Sequence, residues 1–421
     1  MLTEENIEKR KRAVLVSVAQ STAELDECER GLDELERLLD TAGADAAFRV
    51  IQVKSTFDPR TVIGSGKVLE IKAITDAEKI RLVVFDLELS PMQIRNLEDD
   101  LGGDVEVIDR SMLILDIFAL HASSGEGKLQ VELAQLKYTA PRLIGKGAAL
   151  SRQGGGIGTR GPGETKLETD RRHLHTKIAA LEERLRELEH NRSVMRRQRD
   201  RSGLPKIAVV GYTNAGKSTL LNRLTGAGVL AEDKLFATLD PTTRKLTLPS
   251  GESVLLTDTV GFIRKLPHHL IKAFKSTLDE VTYADILLIV SDITDPEVRE
   301  HLEVTEGIIT ELHAEDKPRI YVYNKCDMLE GISYAVPKER TVIASARENR
   351  GIDVLISMIE DLIREGKREC ELLIPYSEQS IVSSLYNTSE VLSVDYEERG
   401  VLVKAILGNE EQGMLAKYII K

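Results

Sequence analysis

Cysteine is scarce in this 421-residue chain, and its three copies, Cys28, Cys326 and Cys370, are far apart. An odd number at such spacing makes neither a disulfide framework nor a zinc pattern. No run approaches the roughly 18 apolar residues of a membrane span, so no spanning helix is expected. The opening MLTEENIEKRKR is charged and lacks the apolar stretch of a secretory leader, which predicts a cytoplasmic protein. Basic residues are in deficit overall, with a net charge of −12, which argues against a chain that is uniformly attracted to polyanions.

That deficit is uneven. Residues 141–206 hold 16 Lys/Arg against 8 Asp/Glu, a local net of +8 that leaves −20 for the rest. A basic island in an acidic protein is a pointed signal for a polyanionic partner, and a solvated helical face is the competing reading. The remaining composition, 42% apolar and 30% charged, is ordinary for globular proteins, and the length suggests about two to four domains.

The pattern along the chain predicts four parts. Residues 1–120 alternate strand-like runs (13–19, 48–53, 81–89, 105–109) with helical spacings, the rhythm of an α/β domain with a mostly parallel sheet. A helix start is expected at Ser90-Pro91. Residues 121–205 change character. Leu129, Leu133 and Leu136 share one helical face, a Gly-rich segment follows at 151–164, and Leu174, Ile178, Leu181, Leu185 and Leu188 make a seam of coiled-coil type. An antiparallel helical hairpin within one chain accounts for this, and a monomer is expected. Residues 206–368 return to strand–helix alternation, as expected for a doubly wound, mostly parallel sheet. Residues 369–421 carry strand-like ELLIP, IVSSLY and VLVKAIL and predict a small C-terminal α/β domain.

The third part carries the chemistry. KIAVVGYTNAGKSTLLNRL (206–224) reads as strand, Gly-rich loop and helix, and matches G-x-x-x-x-G-K-[ST]. Glycine allows backbone N–H groups to curl around phosphates, and the helix N-terminus adds its positive end. Gly211, Tyr212, Thr213, Asn214, Ala215, Gly216, Lys217, Ser218 and Thr219 are therefore the expected phosphate cradle. Lys217 is expected to reach the terminal phosphates and Ser218 to ligate Mg²⁺. LLTDTVGF (255–262) adds Asp258, Thr259, Val260 and Gly261, with Asp258 holding Mg²⁺ through water and the Gly261 backbone approaching the γ-phosphate. LFATLDPTTR (235–244) is the expected first switch: Phe236, Ala237, Thr238, Leu239 and Asp240 border the nucleotide. Thr238 is the leading second Mg²⁺ ligand, with Thr242 and Thr243 as rivals. Lys217, Thr238 and Gly261 are the expected catalytic set.

The base is specified elsewhere. In NKCD (324–327), Asp327 can accept from both N1–H and the 2-amino group of guanine, donors that adenine does not offer in that place. Asn324 is expected to brace the loops and Lys325 to lay its stem along the base. Ser345, Ala346 and Arg347 can offer a backbone N–H to the guanine O6. The constellation therefore predicts binding of GTP and GDP, and GTP hydrolysis. Many signalling GTPases place a water-orienting Gln directly after the glycine of the second switch. Here Phe262 stands there and cannot orient water, so slow intrinsic turnover is expected. Asn214 is a candidate to hold a K⁺ ion beside the phosphates. GSGK (64–67) fails as a second phosphate loop, because Thr61 replaces the first glycine and Val68 follows the lysine; a turn entering a helix is expected. His173 and His175, two apart on a helix, point apart and suggest no metal pair.

Together these segments resemble the HflX family of translation-associated GTPases. The resemblance covers nearly the whole chain and rests on IGSGKVLEI (63–71), LSPMQIRNLE (89–98), EGKLQVELAQLKY (126–138), SRQGGGIGTRGPGETKLETDRR (151–172), FATLDPTTR and DTVGFIRKLP (258–267). It implies an HflX domain, a linking hairpin, a GTPase domain and a short C-terminal domain. It also implies binding to the ribosome, chiefly the large subunit and its RNA, and separation of subunits under stress by the GTP-bound form. Two alternatives stand beside it: a GTPase whose hairpin docks on a protein partner, and a slow nucleotide-gated scaffold in ribosome assembly.

Overall fold

The computed structural model describes residues 10–151, 162–200, 203–226, 235–236, 241–265, 267, 270, 275–329 and 339–420. They fall into two compact units. One comprises Met1–Leu188, Glu232–Asp240 and Lys265–Ser276; the other comprises Glu189–Ala231, Pro241–Arg264 and Thr277–Lys421.

In the first unit, β1 (Lys11–Ala19), β2 (Ala44–Val53), β3 (Leu82–Phe85) and β4 (Glu106–Asp109) form a sheet in the order β2-β1-β3-β4, with every pair parallel. Helices α1 (Leu25–Thr41), α2 (Ser65–Glu78), α3 (Pro91–Leu101) and α4 (Arg110–His121) alternate with the strands. The unbroken apolar runs are explained by burial: residues 13–19 and 82–85 are buried throughout, as in strands covered on both faces. The apolar pattern of 81–89 overreaches the strand. The chain leaves the sheet at Asp86, whose buried carboxylate pairs with Arg110 at 2.7 Å and with Lys265 at 3.2 Å, while Arg110 also pairs with Glu34. A charge this deep persists only when it is compensated.

Helix α3 begins at Ser90-Pro91 with a reciprocal cap. Gln93 N–H donates to Ser90 Oγ and Ser90 N–H donates to Gln93 Oε1. GSGK is a helix entry, with Gly64 preceding α2 and donating its N–H to Gln52 Oε1 at 2.8 Å. Two long helices follow, α5 (Gly125–Ser151) and α6 (Pro162–Asp200). Ion pairs Lys137–Glu182 and Lys177–Glu132, both at 2.7 Å, join them. Leu181 is buried, and Leu174, Ile178, Leu185 and Leu188 are half-buried, whereas all but Glu182 of the other residues between 171 and 190 are exposed. Arg152, Arg160 and most of the Gly-rich segment lie outside the described residues.

The second unit is built on β5 (Lys206–Gly211), β6 (Thr242–Thr247), β7 (Ser253–Asp258), β8 (Ile286–Asp292), β9 (Arg319–Asn324) and β10 (Thr341–Ile343), ordered β10-β9-β8-β5-β7-β6. Only β6 runs antiparallel to its neighbour. Helices α7 (Lys217–Thr225), α8 (Lys275–Tyr283), α9 (Val298–Glu311) and α10 (Ile352–Glu365) complete the alternation. Val209, Leu220, Leu256, Leu288, Val322 and Leu355 lie fully buried in its core. Strand β5 sits where the winding reverses, with β7 on one side and β8 on the other, and in such sheets ligands bind beyond the strand ends at that point.

The chain ends in an antiparallel sheet, β11-β13-β12, made by β11 (Arg368–Ile374), β12 (Glu390–Glu397) and β13 (Gly400–Leu407), with helices α11 (Gln379–Thr388) and α12 (Asn409–Met414). IVSSLY, expected as a strand, is part of α11. Strand alternation would bury Ser383 with Ile381 and Leu385. Instead Ile381 and Val382 are partly covered, Leu385 is buried and Ser383, Ser384 and Tyr386 are exposed, a helical stripe. The strand of this region is the next segment, EVLSVDYE. Among the described residues no helix is long and apolar enough to cross a membrane.

Candidate nucleotide-binding site

Strand β5 ends at Gly211 and α7 begins at Lys217, so residues 212–216 make the turn between them. Asn214, exposed, adopts a left-handed conformation (φ 61°), which Asn tolerates better than most residues. Gly216 is required twice over. Its φ is +89°, and a Cβ there would lie 2.3 Å from Asn324 Nδ2.

Asn324, buried at the end of β9, ties three loops together. Its Nδ2 donates to Ala215 O at 2.9 Å, and its Oδ1 accepts from Ala346 N–H at 3.0 Å. This is the bracing role expected for it. Lys325 turns left-handed (φ 68°) and places Nζ 2.7 Å from the Asp292 carboxylate at the end of β8. Asp327 lies in the single 3-10 turn Cys326–Met328 that follows. Ser345 is buried; its backbone exchanges hydrogen bonds with Arg350, and its Oγ accepts from Glu348 N–H at 3.0 Å. One residue of this loop system was not read from sequence. Arg223 of α7 donates from Nε to Ala346 O (2.8 Å) and from an Nη to Arg347 O (2.6 Å), holding the 345–347 loop to the helix that carries Lys217. The only sequence signal was its place on that helix.

Lys217 and Ser218 open α7. The Ser218 hydroxyl donates to Asp258 Oδ2 at 2.6 Å, with Asp258 fully buried at the end of β7. Thr259, also buried, donates to Val209 O at 2.8 Å and ties the strand end to β5. Lys217 is buried, and its Nζ donates to Tyr212 O at 2.8 Å. Burial pushes its ammonium down from 10.5 to about 8, with Asp258 pulling the other way. Val260 is buried, and Gly261 approaches the loop so closely that a Cβ would lie 2.9 Å from Lys217 Nζ and 2.8 Å from Thr213 Cγ2. Phe262 is buried to 1% exposure and joins the loop by backbone bonds, described below.

The depressed lysine has a measurable consequence. Between about pH 8 and 10.5 the folded, nucleotide-free protein binds fewer protons than the unfolded chain, so this group makes stability rise with pH there. Phosphate oxygens require the ammonium form. Nucleotide affinity should therefore fall as pH passes about 8, by up to about tenfold per pH unit. Calorimetric titration with GDP from pH 7 to 9 checks this; Lys217→Arg, which stays charged, should be flat across that range, and a flat wild-type profile would contradict it.

The first switch is described only in part. Phe236, in a segment belonging to the first unit, is buried edge-on against Phe118 with ring centroids 4.8 Å apart. Ala237, Thr238, Leu239 and Asp240 lie outside the described residues. Of the rivals to Thr238, Thr243 shares a hydroxyl hydrogen bond of 2.9 Å with Thr257 across the β6–β7 pair, and Thr242 stands opposite Asp258 in register. Ser218 Oγ and the Asp258 carboxylate thus form an adjacent pair of hard oxygen donors, the chemistry a small divalent cation selects.

Comparison with known proteins gives this geometry a family. The description "GTP-binding GTPase N-terminal" matches residues 29–119, "GTP-binding GTPase Middle Region" matches 121–199, and "50S ribosome-binding GTPase" matches 206–325. GTPase HflX of Caldanaerobacter subterraneus subsp. tengcongensis is 49% identical over 417 residues, covering 99% of this chain and 96% of that protein. The chain belongs to the HflX family of GTPases. GTPase HflX of Escherichia coli K12 is 42% identical over 374 residues, covering 88% of this chain and 87% of that one. The solved structure of a GTP-binding protein from Sulfolobus solfataricus with GDP is 26% identical, covers 84% of this chain and 99% of that one, and superposes with a TM-score of 0.44. As an HflX GTPase this protein is a GTP-hydrolysing enzyme, and its GTPase domain is of the 50S ribosome-binding type. GTPases of this family generally work with Mg²⁺, for which the Ser218–Asp258 oxygen pair has suitable chemistry.

Proposed function

We propose that this GTPase binds the large ribosomal subunit in its GTP form and uses hydrolysis to end that association, acting in the cytoplasm as a monomer that separates or rescues ribosomes under stress. The observation that carries the reading is a P-loop site that follows directly, in the chain, on a long helix set within the basic island of residues 141–206. Arg171, Arg172, Arg184 and Arg186 all stand exposed on α6, inside the island of net positive charge. Exposed arginines on a long helix suit phosphate contacts in structured RNA. The 50S-binding description of the GTPase family supports the same partner.

At the nucleotide, the P-loop residues 211–219 cradle the phosphates with backbone N–H groups. Lys217 places its charge on the terminal phosphates, and the Gly261 backbone meets the γ-phosphate. Mg²⁺ would be held by Ser218, by Asp258 through water and by Thr238, and would supply charge neutralisation between the phosphates. Asp327 reads the guanine edge, Lys325 lines the base, and the 345–347 loop supplies the donor for O6. A K⁺ ion beside the phosphates would be held by Asn214. Phe262 contributes no hydrogen bond to the attacking water, so an orienting group comes from the partner or from a switch ordered by it.

Co-sedimentation with separated ribosomal subunits tests the partnership. The protein should pellet with large subunits in a non-hydrolysable GTP analogue and be released in GDP. Binding should weaken steeply and log-linearly with salt, as phosphate contacts require. Pelleting that ignores the nucleotide would defeat the reading, and binding insensitive to salt would favour a protein partner.

A further inference from the structure

We propose that Tyr212 is a positioning residue for hydrolysis: it fixes the backbone of the second switch against the P-loop and thereby sets the rate of the chemical step without setting nucleotide affinity. Four contacts meet at this residue. Its carbonyl accepts from Lys217 Nζ at 2.8 Å. Its backbone is the bridge partner of Phe262: Phe262 N–H donates to Gly211 O at 3.0 Å, and Thr213 N–H donates to Phe262 O at 2.8 Å. Its hydroxyl accepts from Arg264 N–H at 2.8 Å. Its ring, buried to 6% exposure, stacks on His301 of α9 with centroids 3.7 Å apart and an interplanar angle of 11°.

These contacts form a frame around Gly261. Phe262 is clamped by backbone bonds on one side of the tyrosine, and Arg264 is held by its hydroxyl on the other. The Arg264 guanidinium pairs with Glu297, whose carboxylate lies 4.0 Å from His301 Nε2, so the frame closes on the helix that carries the stacking partner. The side chains involved are buried or nearly so, and a partly buried backbone N–H such as that of Arg264 needs an acceptor. Gly261 has room for no side chain beside Lys217 and Thr213, so a small shift of residues 262–264 moves the Gly261 N–H relative to the Lys217 ammonium. Hydrolysis depends on donors fixed in advance where charge develops, and a misplacement of about 1 Å costs roughly 10²-fold. Ground-state binding is spread over many loop N–H groups and changes little.

The test is Tyr212→Phe in the full-length protein. This change keeps the ring, the His301 stack and the backbone bridge, and removes the hydroxyl that accepts Arg264 N–H. It should lower kcat by about tenfold or more while KM and the affinity for a fluorescent GDP analogue stay within about twofold. Glu297→Gln, which weakens the hold on Arg264 without touching the loop, should give the same split. The second variant decides the matter if the first melts early. An unchanged kcat in both variants would overturn the proposal, as would GDP affinity falling in step with kcat. The proposal rests on the P-loop reading above, and the wild type run in parallel separates the two: failure of the wild type to bind GDP sinks that reading, whereas normal wild-type binding with unchanged variants sinks only this one.

Discussion

Lys217→Ala should lower GTP turnover by at least about 10²–10³-fold, with and without ribosomes, while the protein stays folded. The size follows from where the charge sits. Lys217 is buried where the P-loop enters α7, and its ammonium lies beside Gly261; in the proposed function that charge meets the terminal phosphates. In a water-excluded site a single charge placed where negative charge develops is worth several kcal/mol, far more than the same charge in solvent. Folding should survive because the lysine is costly to bury, the same burial that pushes its ammonium down to about 8. Alanine removes the desolvation penalty and leaves the Tyr212 carbonyl as the group to be resatisfied. Radiometric turnover together with a thermal melt checks both halves. Turnover within tenfold of wild type in a folded variant would contradict the assignment.

What could be read in the sequence was what local chemistry dictates. The P-loop, NKCD and DTVG motifs each require a particular residue type at a particular backbone position, so Asn324 could be assigned its bracing role before its bonds to Ala215 and Ala346 were seen. The Ser90-Pro91 helix start likewise carries its own mechanism in the Ser90–Gln93 cap. Parallel strands announced themselves as unbroken apolar runs, but their ends did not. The strand-like reading of 81–89 runs past Phe85, whereas the strand stops there, where buried Asp86 meets Arg110 from another element. IVSSLY misled because β-branched residues suit a strand, whereas the burial of Leu385 beside exposed Ser383 and Ser384 is set by packing on the terminal sheet. The residues missed at the site share one cause. Arg223, Arg264, Glu297 and His301 act through contacts across 33 to 124 positions of sequence, for which no motif exists. At Phe262 the sequence shows a side chain without a hydrogen-bonding group, and the structure adds that its main chain zips the second switch to the P-loop.

The second large effect concerns stimulation. Phe262 offers the attacking water nothing, and the switch that holds it is tied down by the loop, by Tyr212 and by Glu297. Free protein should therefore turn over slowly. Completing such a site in trans, or ordering its switches, is worth about 10³–10⁵-fold in GTPases. In the proposed function, loss of the γ-phosphate would free the segments that bound it and couple hydrolysis to release. The measurement that tests this account most directly is single-turnover GTP hydrolysis at saturating large ribosomal subunits, compared with free protein and with small subunits. The account predicts acceleration of at least about 10³-fold by large subunits, none by small subunits, and loss of the effect in Lys217→Ala. A rate with large subunits equal to that of the free protein would contradict it, and would leave a nucleotide-gated binder in place of a ribosome-activated GTPase.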